Sequence, residues 1–397
     1  MVASCGAFSK NAFLTVQYGN AGTVVISWRL FLGLFYLYRC VMAVAGELVI
    51  RRLTTLGDAS TYQRSVLLDL SASEFQTGGQ LTGLRQVGTL ITLGVGGTFN
   101  IIFAGNPILI NIGFQTIAFI GIVKLLNCCD DWLKRRLALL LLFPSFNLWS
   151  SVASKEAIVV FLVCVISAYM LDIYYNRDRL TLLTSVSVVV LAFFKVHFMA
   201  AVVFVLGILK VASRFREKAA LAVTAGLLSL AMLYVVRDKI ASLSLTVQIH
   251  FRPEDARSTR EIFFAEPYDV FLKAPYGMFQ TFFGPTISEV ITSPVHVVSF
   301  AESFVLLAIL SFYLLRRLPE LPAFPAIVGF FTTAWLMFGM MPFGIHNPGS
   351  AIRYRTGYYV LICVLFLILT SRDRFRFWRA GHVVRRRQPR SDYPATR

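Results

Sequence analysis

The sequence predicts an all-α fold: a polytopic membrane bundle of about ten or eleven transmembrane helices. Three observations predict it. Hydrophobic residues make up 56% of the 397-residue chain and charged residues 15%, where a soluble domain is about 25% charged. Apolar runs of roughly 20 residues, the length that spans hydrocarbon, recur along the whole chain. The alternating segments of a membrane β-barrel do not occur in the sequence. Without water, the backbone must pair its own N–H and C=O groups, so each run is read as a helix.

In chain order, helices are expected at about 22–46, 107–127, 137–152, 155–175, 180–195, 197–213, 218–236, 296–315, 323–342 and 356–371. The apolar stretch from Leu84 to Phe103 is rich in glycine (Gly88, Gly94, Gly96, Gly97) and is expected to lie in the interface or re-enter. The basic connectors Lys134-Arg135-Arg136, Arg177/Arg179, Arg214/Arg216/Lys218 and Arg316-Arg317 fall on one side if the helices alternate. That side is expected to be cytoplasmic. The regions 47–106, 150–156, 237–295 and 343–355 then face outward, with Arg51-Arg52 the one pair against the rule. Residues 1–371 read as one membrane domain and 372–397 as a disordered basic cytoplasmic tail.

The net charge is +17, and the stretch from Ser371 carries nine arginines against two aspartates. Such charge beside membrane helices suits anionic lipid, and no nucleic-acid partner is expected. Six cysteines lie mainly in or beside apolar runs, without metal-ligand spacing, so neither a disulfide framework nor a metal site is expected. The N-terminus does not read as a cleaved leader. No P-loop, dinucleotide fingerprint, HExxH or GxSxG context appears. Helix middles hold almost no charge, which weighs against an ion-coupled transporter.

Four constellations could carry chemistry. Gly57-Asp58 with Tyr62 follows the first helix; Asp58 reads as a base for a hydroxyl or as a helix N-cap. The hairpin Trp149-Ser150-Ser151 to Lys155-Glu156 puts two charges at the hydrocarbon edge. Lys155 there could neutralise a phosphate and Glu156 could hold Lys155 or a sugar hydroxyl, while Ser154 caps the next helix with Glu156 in its first turn. The long loop holds His250, Arg252, Arg257 and Arg260 among acids, then an aromatic stretch ending Phe282-Phe283-Gly284-Pro285 that suits the membrane surface. The segment Pro342 to Arg355, with His346, opens the last helix with Arg353-Tyr354-Arg355, two outward arginines that phosphate would match. Lys195 and His197 lie between two apolar runs, either as a turn or in the same cavity.

The order of these motifs resembles bacterial polytopic glycan-assembly proteins, the Wzy-type O-antigen and exopolysaccharide polymerases and the GT-C membrane glycosyltransferases. The matching pieces are Gly57-Asp58 with Tyr62, Pro144-Ser145 with Trp149-Ser150-Ser151 and Lys155-Glu156, and Arg353-Tyr354-Arg355. Asp58 stands alone where the GT-C loop often carries an acidic pair, which favours a polymerase. The resemblance implies transfer between polyprenyl-diphosphate-linked glycans at the periplasmic face of the inner membrane, without a cofactor. A GT-C transferase using a polyprenyl-phosphate sugar and a non-covalent glycan or lipid transporter are the alternatives. Expected catalytic residues are Asp58, Lys155, Glu156, Arg353 and Arg355. Expected substrate-binding residues are Tyr62, Arg85, Trp149, Lys195, His197, His250, Arg252, His346 and Tyr354. Expected partners are a lipid-linked oligosaccharide, membrane lipids and other polysaccharide-assembly proteins.

Overall fold

The computed structural model describes residues 13–17, 23–53, 58–65, 84–175, 177, 180–212, 214–250, 260, 263–293 and 296–370. The basic tail lies outside the described residues, as do Arg179 and Arg252. A two-stranded antiparallel ribbon, β1 (Phe13–Gln17) and β2 (Thr23–Ser27), leads in. The first helix therefore starts at Trp28 and not at residue 22: Thr23–Ser27 is rich in β-branched residues, and the Ser27 hydroxyl accepts the Leu30 N–H at 3.3 Å as N-cap.

Helix α1 (Trp28–Ala45) runs through a π turn at Gly46–Ile50 into α2 (Arg51–Leu53). Then follow α3 (Ala59–Gln63), α4 (Leu84–Ile102), α5 (Pro107–Cys128), α6 (Asp131–Leu140), α7 (Pro144–Trp149) and α8 (Lys155–Tyr174). The second half holds α9 (Leu182–Phe194), α10 (Met199–Ala212), α11 (Lys218–Val235), α12 (Arg237–His250), α13 (Asp269–Leu272), α14 (Ala274–Phe283), α15 (Ile287–Thr292), α16 (Val297–Arg317), α17 (Ala323–Gly344) and α18 (Pro348–Thr370).

Among the described residues, seven helical stretches are long and apolar enough to cross a membrane: Trp28–Ile50, Pro107–Cys128, Lys155–Tyr174, Lys218–Val235, Val297–Glu320, Ala323–Gly344 and Pro348–Thr370. Their architecture is that of a helical membrane bundle. Three apolar helices are shorter, at Val87–Ile102, Leu182–Phe194 and Val196–Ala212.

Two further expected helices differ from the sequence reading. The run at 137–152 is broken, because Pro144 lacks an N–H and disfavours helix at the residue before it, so α6 stops and α7 restarts at Pro144. The last helix starts at Pro348, not at residue 356. Asn347 Oδ1 accepts the N–H groups of Gly349 and Ser350, which lets the helix begin two turns earlier and takes Arg353 and Arg355 inside it.

Helices α8 and α18 form the centre. In their most apolar stretches 89% and 83% of residues are buried, against 11% in α11 and 17% in α16 at the periphery. Helix α5 lies against α8 so closely that a Cβ on Gly121 would meet the Phe161 backbone at 2.7 Å. Helices α8 and α18 run in the same direction, so both N-termini lie at one end of the bundle. Each contributes a partial positive charge there.

Candidate functional site

At that end, side chains far apart in sequence converge. Glu156 lies in the first turn of α8, whose N-cap Ser154 accepts the Ala157 N–H at 3.4 Å. Its carboxylate is 1% exposed. One oxygen lies 3.2 Å from Arg353 Nε and the other 3.6 Å from Lys195 Nζ. Lys195 sits in the break between α9 and α10, and its ammonium lies 4.3 Å from the centroid of the Tyr354 ring. Arg353 spans the site, reaching Asp58 Oδ2 at 3.4 Å on its outer side.

Asp58 is exposed; it stands at the N-cap position of α3, as one of its two sequence readings has it, but its side chain makes no capping hydrogen bond there. Tyr62 lies beneath it, buried. Burial and the nearby Asp58 carboxylate push the Tyr62 phenol well above its usual range despite Arg353, which keeps it neutral. Helix α3 is held from below by an apolar cluster of Ala59, Trp149, Val152 and Ile352. Trp149 is thus a core residue under the site and has no open face for substrate. On the other side the Tyr62 carbonyl packs directly on Gly96 of α4, where no Cβ fits. Lys155 lies at the rim and donates to Thr89 Oγ1 at 2.5 Å.

Arg355 does not join this group. Two residues along a helix turn a side chain through about 200°, and Arg355 faces the opposite side of α18. There it donates to the Phe282 carbonyl at 2.9 Å, Ser303 Oγ at 2.7 Å and Ser145 Oγ at 3.1 Å, with Glu302 3.9 Å away. Glu302 accepts the Ser145 N–H at 2.8 Å and its hydroxyl as well. This buried cluster fastens α7, α14 and α16 to α18. His197 also points elsewhere, stacking on Phe343 with centroids 4.8 Å apart and approaching Met340 Sδ. His346 is buried edge-on to Phe264. The side chains of Arg85 and His250 lie outside the described residues.

Three supports lie outside the expected site residues. Arg39 of α1 is fully buried and donates to Gln115 Oε1 at 3.2 Å, Asn147 Oδ1 at 2.8 Å, and the Ser150 hydroxyl and carbonyl at 3.0 Å each. It ties the hairpin carrying Lys155 and Glu156 to α1 and α5. The clue was Arg39 in the middle of an apolar span. Glu47, Arg51, Gln63 and Asn111 form a second network, in which Gln63 Nε2 donates to Glu47 at 2.9 Å and Asn111 at 3.0 Å. Asn111 also accepts the Ala153 N–H at 2.8 Å, joining α3, α5 and the hairpin. Arg260 pairs with Glu289 and donates to the Ile345 carbonyl at 2.9 Å, clamping the long loop to the end of α17. Burial pushes the Glu289 carboxyl up, but Arg260 and the Thr286 amide and hydroxyl outweigh it and hold the group below its usual range.

Among the described residues no three His, Cys, Asp or Glu side chains cluster as metal ligands. Chemically, the site offers an exposed carboxylate beside Arg353, and two cations around the buried Glu156, at a point where two helix N-termini add positive potential. It is suited to an anion next to a proton acceptor. Compared with protein-family models, curated proteins and solved structures, the chain matches none.

Proposed function

We propose that the protein is a membrane glycosyltransferase, a polysaccharide polymerase joining glycan repeat units carried on polyprenyl diphosphate at the extracytoplasmic face of a bacterial inner membrane. The observation that supports it is the convergence of Asp58, Glu156, Lys195 and Arg353 at one end of the bundle. Ten crossings follow if the broken α6–α7 unit, α9 and α10 each traverse beside the seven long stretches, with α4 at the interface. The basic connectors at Arg177, Arg214 and Arg316 then lie at the ends of α8, α10 and α16 remote from Glu156, and the positive-inside rule supports an outward-facing site.

In the proposed reaction Asp58 takes the proton of an acceptor sugar hydroxyl. The hydroxyl oxygen bonds to the anomeric carbon of the donor. The bond from that carbon to the diphosphate oxygen breaks, and its electron pair leaves with the lipid diphosphate. Arg353 and Lys195 stabilise the charge that develops on this leaving group. Lys155 at the rim adds a third cation.

The test is purified protein with a lipid-linked oligosaccharide, read by product length. The wild type is expected to lengthen the glycan, and Asp58→Asn or Arg353→Met to slow it by about 100-fold or more. Single-sugar addition would redirect the proposal to a GT-C transferase. Movement of the lipid across a bilayer with no new glycosidic bond would overturn it.

A further inference from the structure

We propose that Glu156 is the internal counter-anion of this site, and that it makes the site selective for a diphosphate by competing with any bound anion for Arg353 and Lys195. The inference rests on the donor class proposed above. Glu156 is fixed in the first turn of α8 and sealed from solvent, so it cannot swing aside. Its two oxygens hold one cation each. Each cation also has a second partner: the Tyr354 ring beneath Lys195 and Asp58 beside Arg353. These second partners keep both cations in place when an arriving anion takes over part of their charge.

The competitor is therefore permanent. A singly charged carboxylate or phosphate monoester brings little more charge than Glu156 already supplies. A diphosphate brings enough to bind beside it. The same buried charge repels the lipid-diphosphate product and speeds its release. Glu156 is thus a specificity residue acting through Arg353 and Lys195.

The experiment uses the full chain in neutral detergent and measures binding of inorganic pyrophosphate and inorganic phosphate by calorimetry. Wild-type protein is expected to bind pyrophosphate at least about ten-fold tighter than phosphate. Glu156→Gln is expected to bind both anions about ten-fold tighter or more and to narrow the gap between them, the scale of one like charge about 10 Å away at an effective dielectric of about 20. Glu156→Asp, which withdraws the charge by one methylene, is expected to fall between and serves if the glutamine variant does not fold. Unchanged or weaker pyrophosphate binding in a folded variant overturns the inference. So does wild-type protein that binds no pyrophosphate. Equal competition by micelles doped with phosphatidylglycerol would replace the diphosphate with a lipid headgroup and also overturn it. Glycan lengthening is assayed separately: pyrophosphate selectivity without lengthening removes the polymerase proposal, while lengthening with unaltered selectivity in Glu156→Gln removes this one.

Discussion

Arg353 and Arg355 show how much two residues can decide. Both are arginines near the start of α18, and the sequence pairs them as one phosphate clamp. The helix period separates them. Arg353 faces the mouth with Asp58, while Arg355 is locked among Ser145, Ser303 and Glu302. Their variants should therefore differ in kind. Arg355→Met leaves Glu302 buried beside a neutral chain and is expected to destabilise by about 3–5 kcal/mol, visible as a lowered melting temperature in detergent. Arg353→Met leaves the buried Glu156 with Lys195 as a remaining cation, so it is expected to lose less stability than Arg355→Met and to lose glycan transfer. Equal stability losses in the two variants would contradict the separation. Arg39 belongs with Arg355: removing its guanidinium leaves Asn147, Gln115 and the Ser150 carbonyl without their donor. Arg39→Met is expected to cost several kcal/mol by the same measurement.

Close helix contacts and loop clamps set the site at the level of elements. Helix α3 can lie on α4 because Gly96 has no side chain beneath the Tyr62 carbonyl. Gly96→Val is expected to lift α3 and carry Asp58 away from Arg353, lowering transfer while leaving the α8–α18 centre intact. A fully active, folded Gly96→Val would argue against Asp58 as the base. The Arg260–Glu289 clamp gives a pH-dependent prediction. The folded Glu289 carboxyl is held below its unfolded pKa, which is about 4.3. Its contribution is therefore present above that value and is lost as pH falls through the lower folded one. The melting difference between wild type and Glu289→Gln, followed from pH 7 to pH 3, is expected to shrink toward zero at the acid end. A pH-independent difference would mean that the clamp acts by packing alone.

The parallel run of α8 and α18 organises the whole molecule, because it brings two helix N-termini and four charged side chains to one end. If that end faces outward, single cysteines at Ser60 and at Leu318, introduced without the native cysteines, should differ. An impermeant maleimide added to intact cells is expected to label Ser60→Cys and to leave Leu318→Cys unlabelled until the membrane is opened. The reverse result would invert the topology and place the site on the cytoplasmic face.

The sequence by itself determined the class of the fold and most of the long helices, since a run of about 20 apolar residues has few alternatives in a bilayer. It also marked Asp58, Glu156, Lys195 and Arg353, because charges beside apolar runs are conspicuous. The tertiary structure decided which of the marked residues share a site. Trp149 went to the core, His197 and His346 turned to aromatic neighbours, and Arg355 joined Glu302. Hydropathy records how apolar a segment is, whereas the azimuth of a side chain depends on where its helix starts and what packs against it. The break at Pro144 and the early start at Pro348 fixed both.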